Sequence, residues 1–421
     1  MQKSEFIQLL KKTQQAAQML ATLSTAKKNA VLTTLVRELA RNEKTILSAN
    51  KKDCARVPNN YPHTDRLTLT HDRLRDIIAG VHAVATLPDP VGTTIDKRVL
   101  ANGINLRRER VPLGVVGVIY EARPNVTIDI ASLVLKSGNA VVLKGGSDAF
   151  FSNHALVACI HRAFRKNKIP EAAVLLLDAR DRKQVDWLFT AHGLVDVLIP
   201  RGGNALIQYV RAHARIPVIE TGAGVCHVYI EKSANIAMAA NIIHNAKTRR
   251  PSVCNALDTI VVDRALLAKL SAITTSLAQD GVRVLADAPA YTALARTYPS
   301  RLLKKARASD FGKEFLSLTC SIKTVRNFPE AVAFVQSHTS HHSEGIITND
   351  KKKATEYLAT IDAAAVYHNA SIAFTDGFEF GLGAEIGIST QKLHARGPMG
   401  LVALTSYKWI AEGRGQVRKK G

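Results

Sequence analysis

The sequence predicts an α/β protein built on a parallel sheet with helices on both faces, preceded by a helical N-terminal segment. Three observations carry that prediction. Between residues 111 and 219 short apolar runs alternate with helix-periodic segments, the pattern of strand–helix–strand units buried on both sides. Before residue 90 the apolar residues recur instead at three- and four-residue spacing, which is the period of an amphipathic helix. The chain has 421 residues, 46% of them hydrophobic, enough to bury the cores of two domains.

In chain order, Phe6, Leu9, Leu10, Thr13, Ala16, Ala17, Leu20 and Leu23 form one helical stripe. Val31, Leu32, Leu35, Val36 and Leu39 lie on one face of a helix expected over residues 27–49. A third helix starts near Thr70 and stops before Pro88-Asp89-Pro90. The run 104–111 follows the turn Asn102-Gly103 and alternates like a hairpin strand with little to bury on one face. Such an arm pairs readily with another subunit. Strands are then expected at 115–120, 140–144, 174–178, 195–200 and 216–219, with helices over 127–135, over 153–165, through Trp187 and after Asn204. In open parallel sheets ligands bind at the carboxyl ends of the strands.

The formal net charge is +22, which raises the question of a nucleic-acid partner. The basic residues are scattered along helical stretches, as in Lys11-Lys12, Lys27-Lys28 and Lys51-Lys52, and the one basic tail is short, Arg418-Lys419-Lys420. Aromatic residues make up 5% and nowhere interleave with basic ones as a base-stacking surface requires. Solvated basic faces and an anionic substrate are therefore preferred to nucleic acid. No apolar run is long enough for a bilayer, and Met1-Gln2-Lys3-Ser4-Glu5 lacks a signal peptide's apolar core. The five cysteines include no C-x-x-C spacing, so neither a zinc site nor a disulfide framework is expected. A reducing, cytoplasmic location follows as an expectation, with no membrane partner and no metal.

Cys254 is the thiol that points to chemistry. It stands in Arg250-Pro251-Ser252-Val253-Cys254-Asn255, among turn-forming residues just before an apolar run, with Arg249 and Arg250 upstream. Cationic neighbours favour the nucleophilic thiolate. A small apolar residue in a core is the other reading of the segment, since unpaired cysteine is among the most buried residue types. Cys226, before Val228-Tyr229-Ile230, reads as a strand residue pointing into a core; Cys54, Cys159 and Cys320 read as packing or surface residues. Two strand-to-helix turns, Lys144-Gly145-Gly146-Ser147 and Arg201-Gly202-Gly203-Asn204, offer bare backbone to a ligand. Neither is a G-x-G-x-x-G or a Walker A loop. Singly each is a tight turn as readily as a phosphate site, and their repetition in one sheet favours the site.

Taken in order, the runs 110–127, 245–255 and 389–400 resemble the aldehyde dehydrogenase superfamily. Within it the likeness is to the branch that reduces an acyl phosphate, L-glutamyl 5-phosphate, to L-glutamate 5-semialdehyde in proline biosynthesis. The resemblance implies a parallel-sheet cofactor domain, an α/β catalytic domain and an oligomerisation arm. These are expected over residues 1–93 and 111–222, over 223–395, and over 94–110 with 396–421. It implies that Cys254 is the nucleophile and that Asn125, with the Cys254 backbone N–H, donates to the oxyanion. Lys144 would hold the adenine ribose, Gly145, Gly146, Gly202 and Gly203 would line the cofactor, and Glu314 and Phe315 would position its nicotinamide end. Ser147 falls where NAD-dependent relatives commonly carry a glutamate, which favours NADPH, although Asp148 is adjacent. Glu220 falls near the place of the base that hydrolytic relatives use, and a phosphorylating enzyme has no need of one. Arg123 and Arg249 are candidates for the acyl phosphate, against an arginine paired with Glu121; Lys247 is the reserve cation. A homo-oligomer and functional coupling to glutamate 5-kinase complete the implied partners.

Overall fold

The computed structural model describes residues 1–58, 61, 64–121 and 123–418. The N-terminal stripe is realised in α1 (Lys3–Leu20), which buries Phe6, Leu10, Thr13, Ala16, Ala17 and Leu20. The single helix expected over 27–49 is instead two, α2 (Thr25–Arg41) and α3 (Glu43–Cys54). The break falls at Asn42, whose side-chain amide donates to the Glu38 carbonyl and so competes with continued helical pairing. After the short α4 (Thr64–Leu67), α5 (His71–Thr86) starts where Thr70 caps it by accepting the Arg73 N–H.

The chain divides into two units. The first comprises Met1–Thr221, Gly381–Gly387 and Met399–Gly421; the second comprises Gly222–Phe380 and Ile388–Pro398. In the first unit β1 (Thr94–Val99) and β2 (Asn105–Pro112) form the hairpin, and β1 is exposed along its whole length. Then β3 (Val115–Tyr120), α6 (Pro124–Lys136), β4 (Ala140–Lys144), α7 (Phe150–Lys166), β5 (Val174–Leu176), α8 (Arg182–Phe189), β6 (Val197–Arg201) and α9 (Asn204–His213) alternate as expected. The sheet runs β5-β4-β3-β6, all parallel. The chain moves outward from β3 through β4 and β5 and then returns to the other side of β3 as β6, which puts the topological switch point between β3 and β6.

Two strands fall short of expectation. The third stops at Leu176, and residues 216–219 contribute only a bridge between Leu198 and Val218. Pro217 has no N–H to give a ladder; its carbonyl accepts from Leu198 N at 2.8 Å and Ile219 N returns a bond to Leu198 O at 2.9 Å.

The second unit holds β7 (Cys226–Ile230), α10 (Ile236–Thr248), β8 (Leu257–Asp263), β9 (Arg283–Ala286), β10 (Leu303–Lys305), β11 (Thr319–Val325), β12 (Ser343–Ile347) and β13 (Ala365–His368). They form a parallel seven-stranded sheet ordered β10-β9-β11-β8-β7-β12-β13. Val228, Ile230, Leu257, Ile260 and Ile322 sit in its core, and β7, β8 and β12 are buried at every position. A short antiparallel pair follows, β14 (Ile388–Ser389) with β15 (Gly397–Pro398). Finally β16 (Thr405–Glu412), in the first unit, pairs antiparallel with β2 and makes β2 the middle of a three-stranded sheet.

Candidate active site

In the second unit Cys254 lies on the turn between α10 and β8 and is half-buried. Three neighbours fix the turn. The Cys226 thiol, fully buried on β7, donates to the Cys254 carbonyl at 3.2 Å. Burial first, with the Glu344 and Asp258 charges adding, holds the Cys226 thiol well above the ordinary cysteine range, so it stays a neutral donor. A Cβ at Gly224 would lie 1.5 Å from the Cys254 carbonyl oxygen, an approach only glycine permits. The buried Asn255 amide donates to the Ala373 and Thr375 carbonyls at 3.1 and 3.0 Å. Behind it, the Ser343 hydroxyl donates to Thr375 Oγ1 at 2.7 Å and lies 2.8 Å from His342 Nδ1.

Glu314 and Phe315 belong to the same unit and the structure brings them to this turn. Glu314 Oε1 accepts the Gly224 N–H at 3.0 Å, and the Phe315 N–H donates to Asp258 Oδ1 at 2.9 Å. Asp258 is almost wholly buried, and desolvation pushes its carboxyl up to about 7 against the pull of Lys247 and two backbone N–H groups. Lys247 is fully buried and its ammonium donates to the Leu257 carbonyl at 2.7 Å. This corrects its standing as a reserve cation for an anion in solution. Arg249, at the end of α10, and Arg250 are exposed.

The remaining candidates belong to the first unit. At the carboxyl end of β4, Lys144 is half-buried; burial, then the Arg182 charge, holds its ammonium below the ordinary lysine range, with Asp148 opposing. Gly145 is needed because a Cβ there would meet Asn153 Nδ2 at 2.2 Å. Ser147 is exposed, while the Asp148 carboxylate accepts the Tyr61 hydroxyl at 2.5 Å. At the carboxyl end of β6, Gly202 and Gly203 are exposed and precede α9. Glu121 packs on Gly202 and accepts the Gly203 N–H at 3.1 Å. On the other side of the switch point, Arg123 stands at the N-cap position of α6, without a side-chain capping bond, and Asn125 lies in the first turn of that helix. The Asn125 amide donates to Asp129 Oδ2 at 3.0 Å. Desolvation pushes the Asp129 carboxyl up to about 6 despite that bond and the Arg201 charge. Glu220 lies 3.5 Å from the Arg211 guanidinium.

Lys144, the Ser147 hydroxyl and bare backbone ahead of α9 are a donor set that suits an anionic dinucleotide. Asp258, Gly224 and Asn255 were missed as site residues. Each left a trace in the sequence: an acid at the head of an apolar run, a glycine just before a strand, an amide following the thiol.

Residues 1–284 match the Aldehyde dehydrogenase family. A curated relative named Gamma-glutamyl phosphate reductase, from Chlorobium phaeobacteroides (strain BS1), is 50% identical over 409 residues, covering 97% of this chain and 98% of that protein. Its namesake from Bacteroides fragilis (strain YCH46) is 50% identical over 406 residues, 96% and 98% of the two chains. Among solved structures, Gamma-glutamyl phosphate reductase from Thermotoga maritima superposes with a TM-score of 0.94 at 39% identity, over 99% of this chain and 100% of that one. An acetylating aldehyde dehydrogenase from Geobacillus thermoglucosidasius, 17% identical with a TM-score of 0.71 over 99% and 98% of the chains, shares the fold.

Proposed function

The chain belongs to the aldehyde dehydrogenase family, and on that premise we propose that it reduces L-glutamyl 5-phosphate to L-glutamate 5-semialdehyde with release of phosphate, the second step of proline biosynthesis from glutamate. The observation that carries the reading is the Cys254 turn: a half-buried thiol whose carbonyl is clamped by Cys226 and Gly224 and whose flank holds Glu314. The 50% identity, over nearly the whole length of both chains, to proteins bearing the reductase name supports the choice of substrate.

The Cys254 thiolate attacks the acyl phosphate carbon, and the Cys254 N–H donates to the oxyanion. By the resemblance, Asn125 supplies the second donor, a contribution of about 3–4 kcal/mol at such a position. Collapse expels phosphate and leaves a thioacyl group on Cys254. Arg123 and Arg249 are the proposed partners of the leaving phosphate. When bound, NADPH supplies the hydride. Lys144, Gly145, Gly146, Ser147, Gly202 and Gly203 are the residues that would hold it, and Glu314 and Phe315 would orient its reactive end. Reduction of the thioacyl carbon gives a thiohemiacetal alkoxide at Cys254, which re-forms the carbonyl, releases the aldehyde and restores the thiolate. Glu220 has no step in this sequence, since no water attacks the thioester.

The strands β1, β2 and β16, where Tyr407 and Trp409 are exposed, are assigned to homo-oligomerisation. Coupling to glutamate 5-kinase fits an acyl phosphate substrate that water destroys. The test is phosphate-dependent reduction of NADP by glutamate 5-semialdehyde, the reverse reaction. Cys254→Ala should abolish it while NADPH binding persists, and Cys226→Ala should do much less. Activity surviving in Cys254→Ala, or lost equally in both variants, would sink the assignment.

A further inference from the structure

Asp258 sits where the nucleophile turn and the Glu314-Phe315 segment meet. Its side chain is nearly inaccessible, being the second residue of β8. Oδ1 accepts the Phe315 N–H at 2.9 Å, and Oδ2 accepts the Cys226 N–H at 3.4 Å. Cys226 then reaches the Cys254 carbonyl through its thiol at 3.2 Å, and Glu314 accepts at 3.0 Å the N–H of Gly224, which lies just ahead of β7 and packs against that same carbonyl. The bonds close a ring that joins residues 224, 226, 254, 258, 314 and 315. Among the described residues Lys247, with its Nζ 4.0 Å from Oδ1, is the cation that faces Asp258 inside the core. An apolar strand head would pack as well here and would avoid the cost of burying a carboxylate, which runs to several kcal/mol. Its use is therefore in what it holds.

We infer that Asp258 is a positioning residue for hydride transfer, fixing the Glu314-Phe315 segment against the Cys254 turn. The inference rests on the proposed reduction through a Cys254 thioester. One carboxylate takes an N–H from each side, so the two segments keep a single register. An amide of the same shape can accept from only one of them and turns its NH2 toward the other.

The experiment is a rapid-mixing comparison of the enzyme with Asp258→Asn, using glutamate 5-semialdehyde and NADP without phosphate. Under these conditions one NADPH forms per site, at the rate of hydride transfer, and the thioacyl enzyme accumulates. Alkylation of Cys254 by iodoacetamide reports separately on the nucleophile. The expected result is a burst at least tenfold slower in Asp258→Asn, with alkylation changed less than twofold. Asp258→Asn/Lys247→Met, which removes the cation left without its carboxylate, should recover folding stability and leave the burst slow. A burst within twofold of the unmodified rate would overturn the inference, as would slowing of burst and alkylation together, or recovery of the burst in the double variant. No burst in the unmodified enzyme would instead overturn the thioester reading beneath it.

Discussion

Asn255→Ala isolates the bond pair that ties the Cys254 turn to residues 371–376. The wild-type amide gives both hydrogens to the Ala373 and Thr375 carbonyls at 3.1 and 3.0 Å, and all three residues are buried. Truncation leaves two desolvated acceptors short of a donor. At about 1–3 kcal/mol for each unmet group, and with partial relaxation, the loss should be about 2–4 kcal/mol. Asn255→Asp should be worse at neutral pH, because it aims a carboxylate at two carbonyl oxygens, and should recover as acid returns a proton to it. The choice of assay follows from the sequence. Both tryptophans, Trp187 and Trp409, lie in the first unit and Asn255 in the second, so tryptophan fluorescence would miss the event. Urea unfolding followed by far-UV circular dichroism, together with amide exchange of peptides spanning 371–376, reads it directly. Destabilisation below about 0.5 kcal/mol with unchanged exchange would refute the reasoning, since it would mean the carbonyls find other donors at no cost.

Three further outcomes are expected. Ser147→Glu should move the cofactor preference from NADPH toward NADH, measured as the ratio of kcat/KM values; a higher value for NADH in the unmodified enzyme would reverse the reading of that turn. Arg123→Ala or Arg249→Ala should raise the phosphate concentration for half-maximal reverse rate far more than the NADP requirement, and unchanged phosphate dependence in both would remove them from the site. His342 is fully buried, and burial lowers its pKa to about 4 from 6.5. The unfolded state therefore binds the proton first. Stability is complete above pH 6.5 and is lost as pH falls toward 4, by about 3 kcal/mol for this group. His342→Gln should flatten that part of the acid slope in urea titrations between pH 7 and pH 4, and an unchanged slope would mean the imidazole stays neutral elsewhere or is hydrated.

Much of the fold was legible because a strand covered on both faces must be apolar throughout. Val115–Tyr120 and Ala140–Lys144 could be read without any knowledge of their neighbours. The same logic overreached at residues 216–219, where an apolar run contains a proline that cannot donate. It also fused two helices, because Asn42 breaks the ladder without breaking the apolar stripe. That Cys254 stands half-buried on a turn and not in a core was legible from the residues around it, and the aldehyde dehydrogenase likeness from three long runs. Lys247 was misread because composition says nothing of depth: it is a cation sealed beneath β8. Asp258 and Asn255 matter through partners 57 and about 120 residues away, and sequence spacing carries no trace of such pairs.

The pairing of β2 with β16, Asn105 opposite Glu412 and Pro112 opposite Thr405, sets an order on synthesis. The first unit is interrupted between Thr221 and Gly381 by nearly all of the second. A ribosome delivers about 5–20 residues per second, and domains tend to fold as they emerge. The inserted unit can therefore reach its seven-stranded sheet while the earlier hairpin still waits with one side of β2 unmatched. That open edge is a template for any passing strand. Its exposure lasts about 15–60 seconds at those rates, for some 300 residues of further translation. The arginines of β2, Arg107, Arg108 and Arg110, keep the waiting edge charged, so that like chains on one message repel until the eight-residue β16 arrives to close it.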